Sequence, residues 1–289
     1  MNVTGSGIAL GFFDGVHTAH QKIIREAVRY SKENNLCAMA LSFDRSPLEL
    51  LSPEKVNYLT TKEEKEEIIS SLGAKTEFLT LSCDLINMTA EDFIKEILVK
   101  KYNIKYAVCG YNYRFGKGGK GDIDLLARYG EKYGFTVRVF DRETKCGESI
   151  SSSRIRKLIA EGSIEEANEL LGRNFSIGGK VCEGKKLGRT LGFPTANVFW
   201  DNCKVVPKNG VYKTRVTAES QKYESITNIG TNPTVGGERL RAETFLSSFS
   251  GNLYEKEIKV EFLQFIRAEK EFSDINELKI QIEKDISNL

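Results

Sequence analysis

The sequence predicts an α/β protein in two parts: an N-terminal domain on a parallel sheet, then an antiparallel β-barrel followed by a terminal helix. Three observations lead there. A length of 289 residues fits two domains at roughly 150 residues each. Up to about residue 170, short apolar runs alternate with helical patterns, the signature of βαβ crossovers and a parallel sheet. From Phe175 onward, strand-like runs bounded by Gly, Asn and Pro follow one another without helices between them. The boundary is expected at residues 172–174, giving domains 1–172 and 173–289.

In chain order, Ile8–Phe12 reads as a strand and Gln21–Tyr30 as a helix with Ile23, Ile24, Ala27 and Val28 on one face. Leu36–Phe43 is a buried-strand run. Thr61-Lys-Glu-Glu64 has the spacing of a capping box. Glu77–Leu81 is a further strand, and Thr89-Ala-Glu-Asp92 opens a helix carrying Phe93, Ile94, Ile97 and Leu98 inward. Tyr106–Cys109 and Phe135–Phe140 are strands on either side of a helix at Ile123–Tyr133. The segment Gly116-Lys-Gly-Gly-Lys-Gly121 reads as a mobile loop. Helical patterns at Ser153–Ala160 and Ser163–Leu171 close this half. The second half offers strands at Phe175–Val181, Gly210–Thr217, Tyr223–Ile229, Glu243–Phe249 and Ile258–Phe265. A final helix capped by Ser273 carries Ile275, Leu278, Ile282 and Ile286 on one stripe.

Composition excludes several functions. Forty-two basic and 40 acidic residues leave a net charge of +2, against a nucleic-acid coat or a polybasic membrane binder. No uncharged run exceeds 13 residues, too short to span a bilayer, and no basic residue precedes Lys22, so no secretory signal is expected. The six cysteines form no CxxC, which argues against zinc or redox pairs and for a reducing, cytoplasmic location. Oligomeric state leaves no mark in the sequence.

Both histidines of the chain, His17 and His20, fall in Gly11-Phe-Phe-Asp-Gly-Val-His-Thr-Ala-His20. This stretch joins the first strand to the first helix, where an α/β sheet places its ligands. Gly11 and Gly15 permit a tight turn close to a ligand. Imidazoles three residues apart at a helix start can donate to an anion already favoured by free N–H groups. A single surface histidine would carry no message. The zinc-protease pattern HExxH is ruled out by spacing and by the missing glutamate. Ser151–Ser153 precede a helix, so their hydroxyls can face phosphate and Arg156 can clamp it; alone they would read rather as a plain N-cap with a solvated arginine.

GFFDGVHTAH resembles the (H/T)xGH-type signature of nucleotidyltransferases. In the GxFDGVHxGH form it is similar to the adenylyltransferase module of bacterial bifunctional riboflavin kinase/FAD synthetases. Gly110-Tyr-Asn-Tyr-Arg-Phe-Gly116 resembles that family's Gx(N/D)FxFG segment, and Ile150-Ser-Ser-Ser-Arg-Ile-Arg156 its ISSTxIR segment. The resemblance implies a Rossmann-like nucleotidyltransferase fold. It implies ATP contacts from Gly11, Phe12, Asp14, Gly15, Ser151, Ser153 and Arg156, flavin contacts from Asn112 and Arg114, and catalysis by His17 and His20. Taken by themselves, Asn112 and Arg114 are ordinary turn residues. The implied reaction is attack of the FMN phosphate on the α-phosphorus of ATP with loss of pyrophosphate, aided by Mg²⁺. Three positions depart from the pattern: Ala19 replaces the glycine between the histidines, Ser46-Pro47 stands for His-Pro, and Ser153 for Thr.

In the second half, Gly179-Lys-Val-Cys-Glu-Gly-Lys-Lys186 nearly matches a P-loop. Lys186 cannot supply the metal-binding hydroxyl and the region is strand-rich, so that reading is rejected. Gly188-Arg-Thr-Leu-Gly-Phe-Pro-Thr-Ala-Asn197 resembles the GRxLGFPTAN signature of riboflavin kinase. Asn228-Ile-Gly-Thr-Asn-Pro-Thr234 resembles its NIGxxPT loop, and Glu243–Tyr254 its ExHLLDFxxDLYG segment. This implies a base at Glu243, metal ligands at Thr195 and Asn197, and nucleotide contacts from Gly184, Gly188, Arg189, Asn228 and Arg267. Phe245, Ser248 and Glu255 replace the family's His, Asp and Gly, and Glu183 replaces a frequent His. The expected activities are ATP- and Mg²⁺-dependent conversion of riboflavin to FMN and of FMN to FAD. A kinase-only enzyme weakened at Ala19, or a non-catalytic flavin- or nucleotide-binding regulator, are the rivals. The partners are small molecules, with no nucleic acid or membrane.

Overall fold

The computed structural model describes residues 4–46, 49, 56–183, 193–200, 203–234 and 237–287, with side chains undescribed at 231–240. The chain divides into two compact units, Met1–Ser152 and Ser153–Leu289.

The first unit is a five-stranded parallel sheet of order β3-β2-β1-β4-β5, with β1 Ser6–Leu10, β2 Cys37–Phe43, β3 Lys75–Leu79, β4 Ile104–Gly110 and β5 Thr136–Phe140. The alternation of β1 sends Ile8 and Leu10 to one face and Ala9 to the other, and each face carries its own core. On the first face Phe93, Leu98 and Leu126 pack against the sheet; on the second, Ile24 and Ala27 of α1 (Thr18–Glu33) and Ile69 of α2 (Lys62–Ser71). The capping box expected at Thr61 is formed, Glu64 N donating to Thr61 Oγ1 and Thr61 N to Glu64 Oε2. After the short α3 (Cys83–Asn87), α4 (Ala90–Asp92) is capped by Thr89 and runs on as a π-wound helix, Phe93–Lys101. Helix α5 (Ile123–Tyr133) follows. The Gly116–Gly121 stretch is not a loose loop: Phe115 and Gly121 exchange backbone bonds, and Lys117 N donates to Met88 O at 2.8 Å. A small hairpin, β6 Thr144–Lys145 with β7 Glu148–Ser149, had no sequence signal.

Helices α6 (Ser152–Glu161) and α7 (Ile164–Leu171) group with the second unit, apart from Ser152, although the sequence boundary lay after them. The reason is Asn168 of α7, whose side chain accepts from Phe175 N at 2.7 Å and donates to Phe262 O at 2.8 Å. Six strands then close a barrel in the order β10-β11-β12-β9-β8-β13. They are β8 Phe175–Cys182, β9 Thr195–Phe199, β10 Gly210–Ala218, β11 Gln221–Thr234, β12 Gly237–Leu246 and β13 Glu257–Arg267. Tyr212, Val260 and Phe262 fill the interior with a chain of buried hydroxyls, Thr214 to Ser225 and Thr227, and Thr227 to Thr244, that satisfy one another at 2.7–2.9 Å.

Thr195–Phe199 forms strand β9, where no strand was expected. Two expectations are corrected in this unit. Strand β12 ends at Leu246 rather than starting at Glu243, so Glu243 lies within the strand. The terminal helix α8 (Ile275–Ile286) is capped by Asp274, which accepts from Asn276 N and Glu277 N, while Ser273 donates to Glu277 Oε2. Ile275 of its apolar stripe remains half exposed.

Candidate active sites

The first site is the turn leaving β1, the strand at which the order of the sheet reverses. Phe13, Gly15 and Val16 all have positive φ (54°, 75° and 39°), a costly run in which only Gly15 is at ease. The surroundings hold it in place. Ser42 Oγ and Lys65 Nζ both donate to Phe12 O, at 2.7 and 2.9 Å. Leu59 N donates to the buried carboxylate of Asp14 at 3.0 Å, Gly15 N to Thr60 Oγ1 at 3.2 Å, and Gln21 Nε2 to Val16 O at 3.0 Å. Ser152 Oγ, at the end of this unit, donates to Asp14 O at 2.9 Å.

The turn delivers both histidines together. His17 is the N-cap of α1, its Nδ1 accepting from His20 N at 3.4 Å, so the neutral ring carries its proton on Nε2. The two rings stack with centroids 3.5 Å apart and 18° between planes, and Phe13 meets His20 edge-on. Burial, then His17 and the ammonium of Lys65, hold the His20 pKa well below the ordinary imidazole range, so the His20 ring is favoured in its neutral form. Ala19 lies in the first helical turn between them.

Other expected residues are more dispersed. Asn112 and Arg114 follow β4; Arg114 is exposed and 3.4 Å from Asp122. Ser46 N donates to Tyr58 OH at 2.8 Å, and Pro47 lies outside the described residues. Ser151 precedes α6. Ser153 and Arg156 sit on it, within the second unit, Arg156 donating to Ser153 Oγ at 3.4 Å. Ser152, part of the serine run read as facing phosphate, instead donates to Asp14 O; sequence reasoning missed Lys65, which a Lys-Glu-Glu-Lys-Glu-Glu stretch disguises as a solvated face.

The second site lies on the outer face of the barrel. Asn228, Glu243 and Asn197 stand in register on β11, β12 and β9, and Ile226, Phe245 and Thr195 form the next row of the same face. Two cavities meet at these rows. One, of about 800 Å³, is lined by Pro194, Thr195, Asn197, Phe245 and the 248–254 segment. The other, of about 250 Å³, is lined by Thr195, Asn228, Glu243, Phe245, Arg267 and apolar residues of α8. Thr195 and Phe245 belong to both. Phe193 and Phe272, neither singled out by sequence, add aromatic surface to the smaller cavity, and Phe193 meets Phe245 edge-on with ring centroids 5.8 Å apart. Asn228 and Arg267, expected beside the nucleotide, line the smaller cavity with Glu243. Arg267 is held by Asp285 of α8 through Nε and NH2, at 3.1 and 2.7 Å. Gly184, Gly188 and Arg189 lie outside the described residues.

Asn197 is 5 % exposed, and its Oδ1 is buried without a hydrogen-bond partner among the described residues. A hard oxygen so placed, with Thr195 two residues away on the same face of β9, fits a Mg²⁺ ion whose remaining ligands are phosphate and water.

The FAD synthetase family model matches residues 2–154 and the riboflavin kinase model residues 171–289. A bifunctional riboflavin kinase/FMN adenylyltransferase of Listeria monocytogenes is 35% identical over 96% of this chain and 89% of its own. The chain belongs to the bifunctional riboflavin kinase/FMN adenylyltransferase family. A member with the same name from Escherichia coli is 36% identical, over 97% and 90%. A crystal structure of a Streptococcus pneumoniae protein named a macrolide-efflux protein superposes with a TM-score of 0.90 at 29% identity, covering 99% of this chain and 94% of the other. Among the described residues of this family member, no helix is long and apolar enough to cross a membrane.

Proposed function

We infer that the protein makes FAD in two ATP-dependent steps, phosphorylating riboflavin to FMN and then adenylylating FMN with release of pyrophosphate. We assign the transfer of AMP to residues 1–172 and the kinase to 173–289. The observation that carries the reading is the shared wall of the two barrel cavities. Glu243 faces one, Asn197 faces the other, and the row Thr195–Phe245 belongs to both.

In the kinase, the smaller, aromatic-lined cavity takes the flavin and the larger one the nucleotide. The Glu243 carboxylate accepts the proton of the ribityl hydroxyl as its oxygen attacks the γ-phosphorus, and ADP leaves. Thr195 and Asn197 hold Mg²⁺, which when bound neutralises charge on the phosphates. On this reading Asn228 and Arg267 serve the flavin side, and Gly184, Gly188 and Arg189 are assigned to the nucleotide by the family motif alone.

In the transferase, an FMN phosphate oxygen attacks the α-phosphorus of ATP. No covalent enzyme intermediate is needed, so catalysis consists of positioning and charge stabilisation. His17 and His20 donate to the phosphates from a rigid turn. Gly11, Phe12, Asp14 and Gly15 shape that turn. Ser151, Ser153 and Arg156 bind phosphate and Asn112 and Arg114 the flavin, in line with the family motifs. All six cysteines are free, as a reducing cytoplasm allows, and that is the location we propose.

The test is incubation of the full chain with riboflavin, ATP and Mg²⁺, with FMN and FAD resolved by chromatography. Both products are expected. FMN without FAD would leave a kinase alone, and neither product would overturn the reading.

A further inference from the structure

Lys65 is only 4 % exposed, yet nothing in the motifs calls for a lysine there. It lies beneath the histidine turn on α2, its Nζ 2.9 Å from Phe12 O, 3.5 Å from Ser42 Oγ and 4.0 Å above the Phe12 ring. Ser42 already satisfies the same carbonyl, so the ammonium duplicates a hydrogen bond while burying a charge. A buried charge costs stability, and an apolar side chain of similar length would avoid that cost. We propose that Lys65 is a positioning residue for adenylyl transfer, clamping the strained turn from below and holding the His17–His20 pair in its stacked arrangement.

The argument is geometric and electrostatic. Two imidazoles with centroids 3.5 Å apart cannot both be charged without repulsion, and a cation beneath the turn disfavours charge on His20. Lys65 is among the causes that depress His20, after burial and His17. Its own pKa is pushed down to about 8 by burial, against the opposing pull of Asp14. The titratable and charged groups around the turn are Asp14, His17, His20, Tyr58, Lys62 and Lys65. Of these, Asp14 is tied to Leu59 N, Tyr58 hydrogen-bonds Glu49, and Lys62 is exposed over Phe78. Lys65 is too enclosed to reach a nucleotide, so its effect passes through the turn.

This inference rests on the adenylyltransferase reading. FAD formation from FMN, ATP and Mg²⁺ is measured between pH 5 and 9 for the full chain and for Lys65→Met, Lys65→Arg and Ser42→Ala, with riboflavin phosphorylation as an internal control. Lys65→Met should lower kcat for FAD at least about tenfold, shift the acid limb of the profile to higher pH, leave kinase activity unchanged and not lower Tm. Lys65→Arg should keep the acid limb, and Ser42→Ala should lower kcat without moving it. Wild-type kcat and acid limb in Lys65→Met would overturn the proposal, as would a lowered Tm with an unmoved limb. If Lys65→Met fails to fold, Lys65→Arg decides: an unmoved limb supports the proposal and a shifted one overturns it. A wild type that makes no FAD would defeat the underlying reading instead.

Discussion

Glu243 on β12 sits directly across from Asn197 on β9, so the candidate base and the candidate metal ligand share one face of the barrel wall. Residues so paired keep their Cβ atoms roughly 5 Å apart, close enough for one group to act on the acceptor and the other on the donor phosphate. The pairing comes from the register of the strands, and no loop closure is needed to create it.

Asn197→Ala removes the buried Oδ1 that has no partner among the described residues. The Mg²⁺ concentration giving half-maximal kinase rate should rise by about tenfold or more, while FAD formation from supplied FMN keeps its Mg²⁺ dependence. Metal titration of both activities in the one protein checks this.

Glu255 stands where the family has glycine, and its backbone has kept the glycine conformation, with φ at 62°. Its N–H still donates to Val181 O at 3.0 Å. Glu255→Gly should therefore stabilise the barrel by roughly 1 kcal/mol, raising its melting temperature by a few degrees, which calorimetry would detect.

His20 is depressed chiefly by burial, so the folded state binds its proton less readily than the unfolded chain. Its contribution to stability is present above the ordinary imidazole pKa of 6.5 and is lost as pH falls below it. Thermal melting between pH 8 and 5 should show the first unit losing stability across that window, and His20→Gln should flatten the dependence.

Ala19 places a methyl between the histidines at the start of α1. Ala19→Gly should raise the rate of FAD formation several-fold without altering FMN formation, at a modest cost in helix stability. Steady-state kinetics with FMN as substrate gives the comparison.

Much of this was legible in the sequence because periodicity and caps are local. The Thr61 capping box and the helix at Ile123–Tyr133 form where the residues indicate. Strand β9 was not legible, because Gly, Phe and Pro at its entrance read as a turn and only closure of the barrel extends Thr195–Phe199. Asp274 and Ser273 are both good caps, and the choice between them depends on where the chain leaves the barrel. Both histidines were conspicuous through their rarity. Lys65 was hidden among charges, and its burial follows from where α2 docks. The aromatic wall of the smaller cavity joins Phe193, Phe245 and Phe272 from distant parts of the chain, so only the tertiary structure assembles it.

The central claim is that Glu243 is the base of a kinase separate from the adenylyl transfer chemistry. The direct test is Glu243→Gln assayed in parallel with riboflavin and with FMN. The variant should form FMN at a rate lower by on the order of 100-fold or more, yet convert supplied FMN to FAD at the wild-type rate. Normal phosphorylation of riboflavin by this variant would contradict the account.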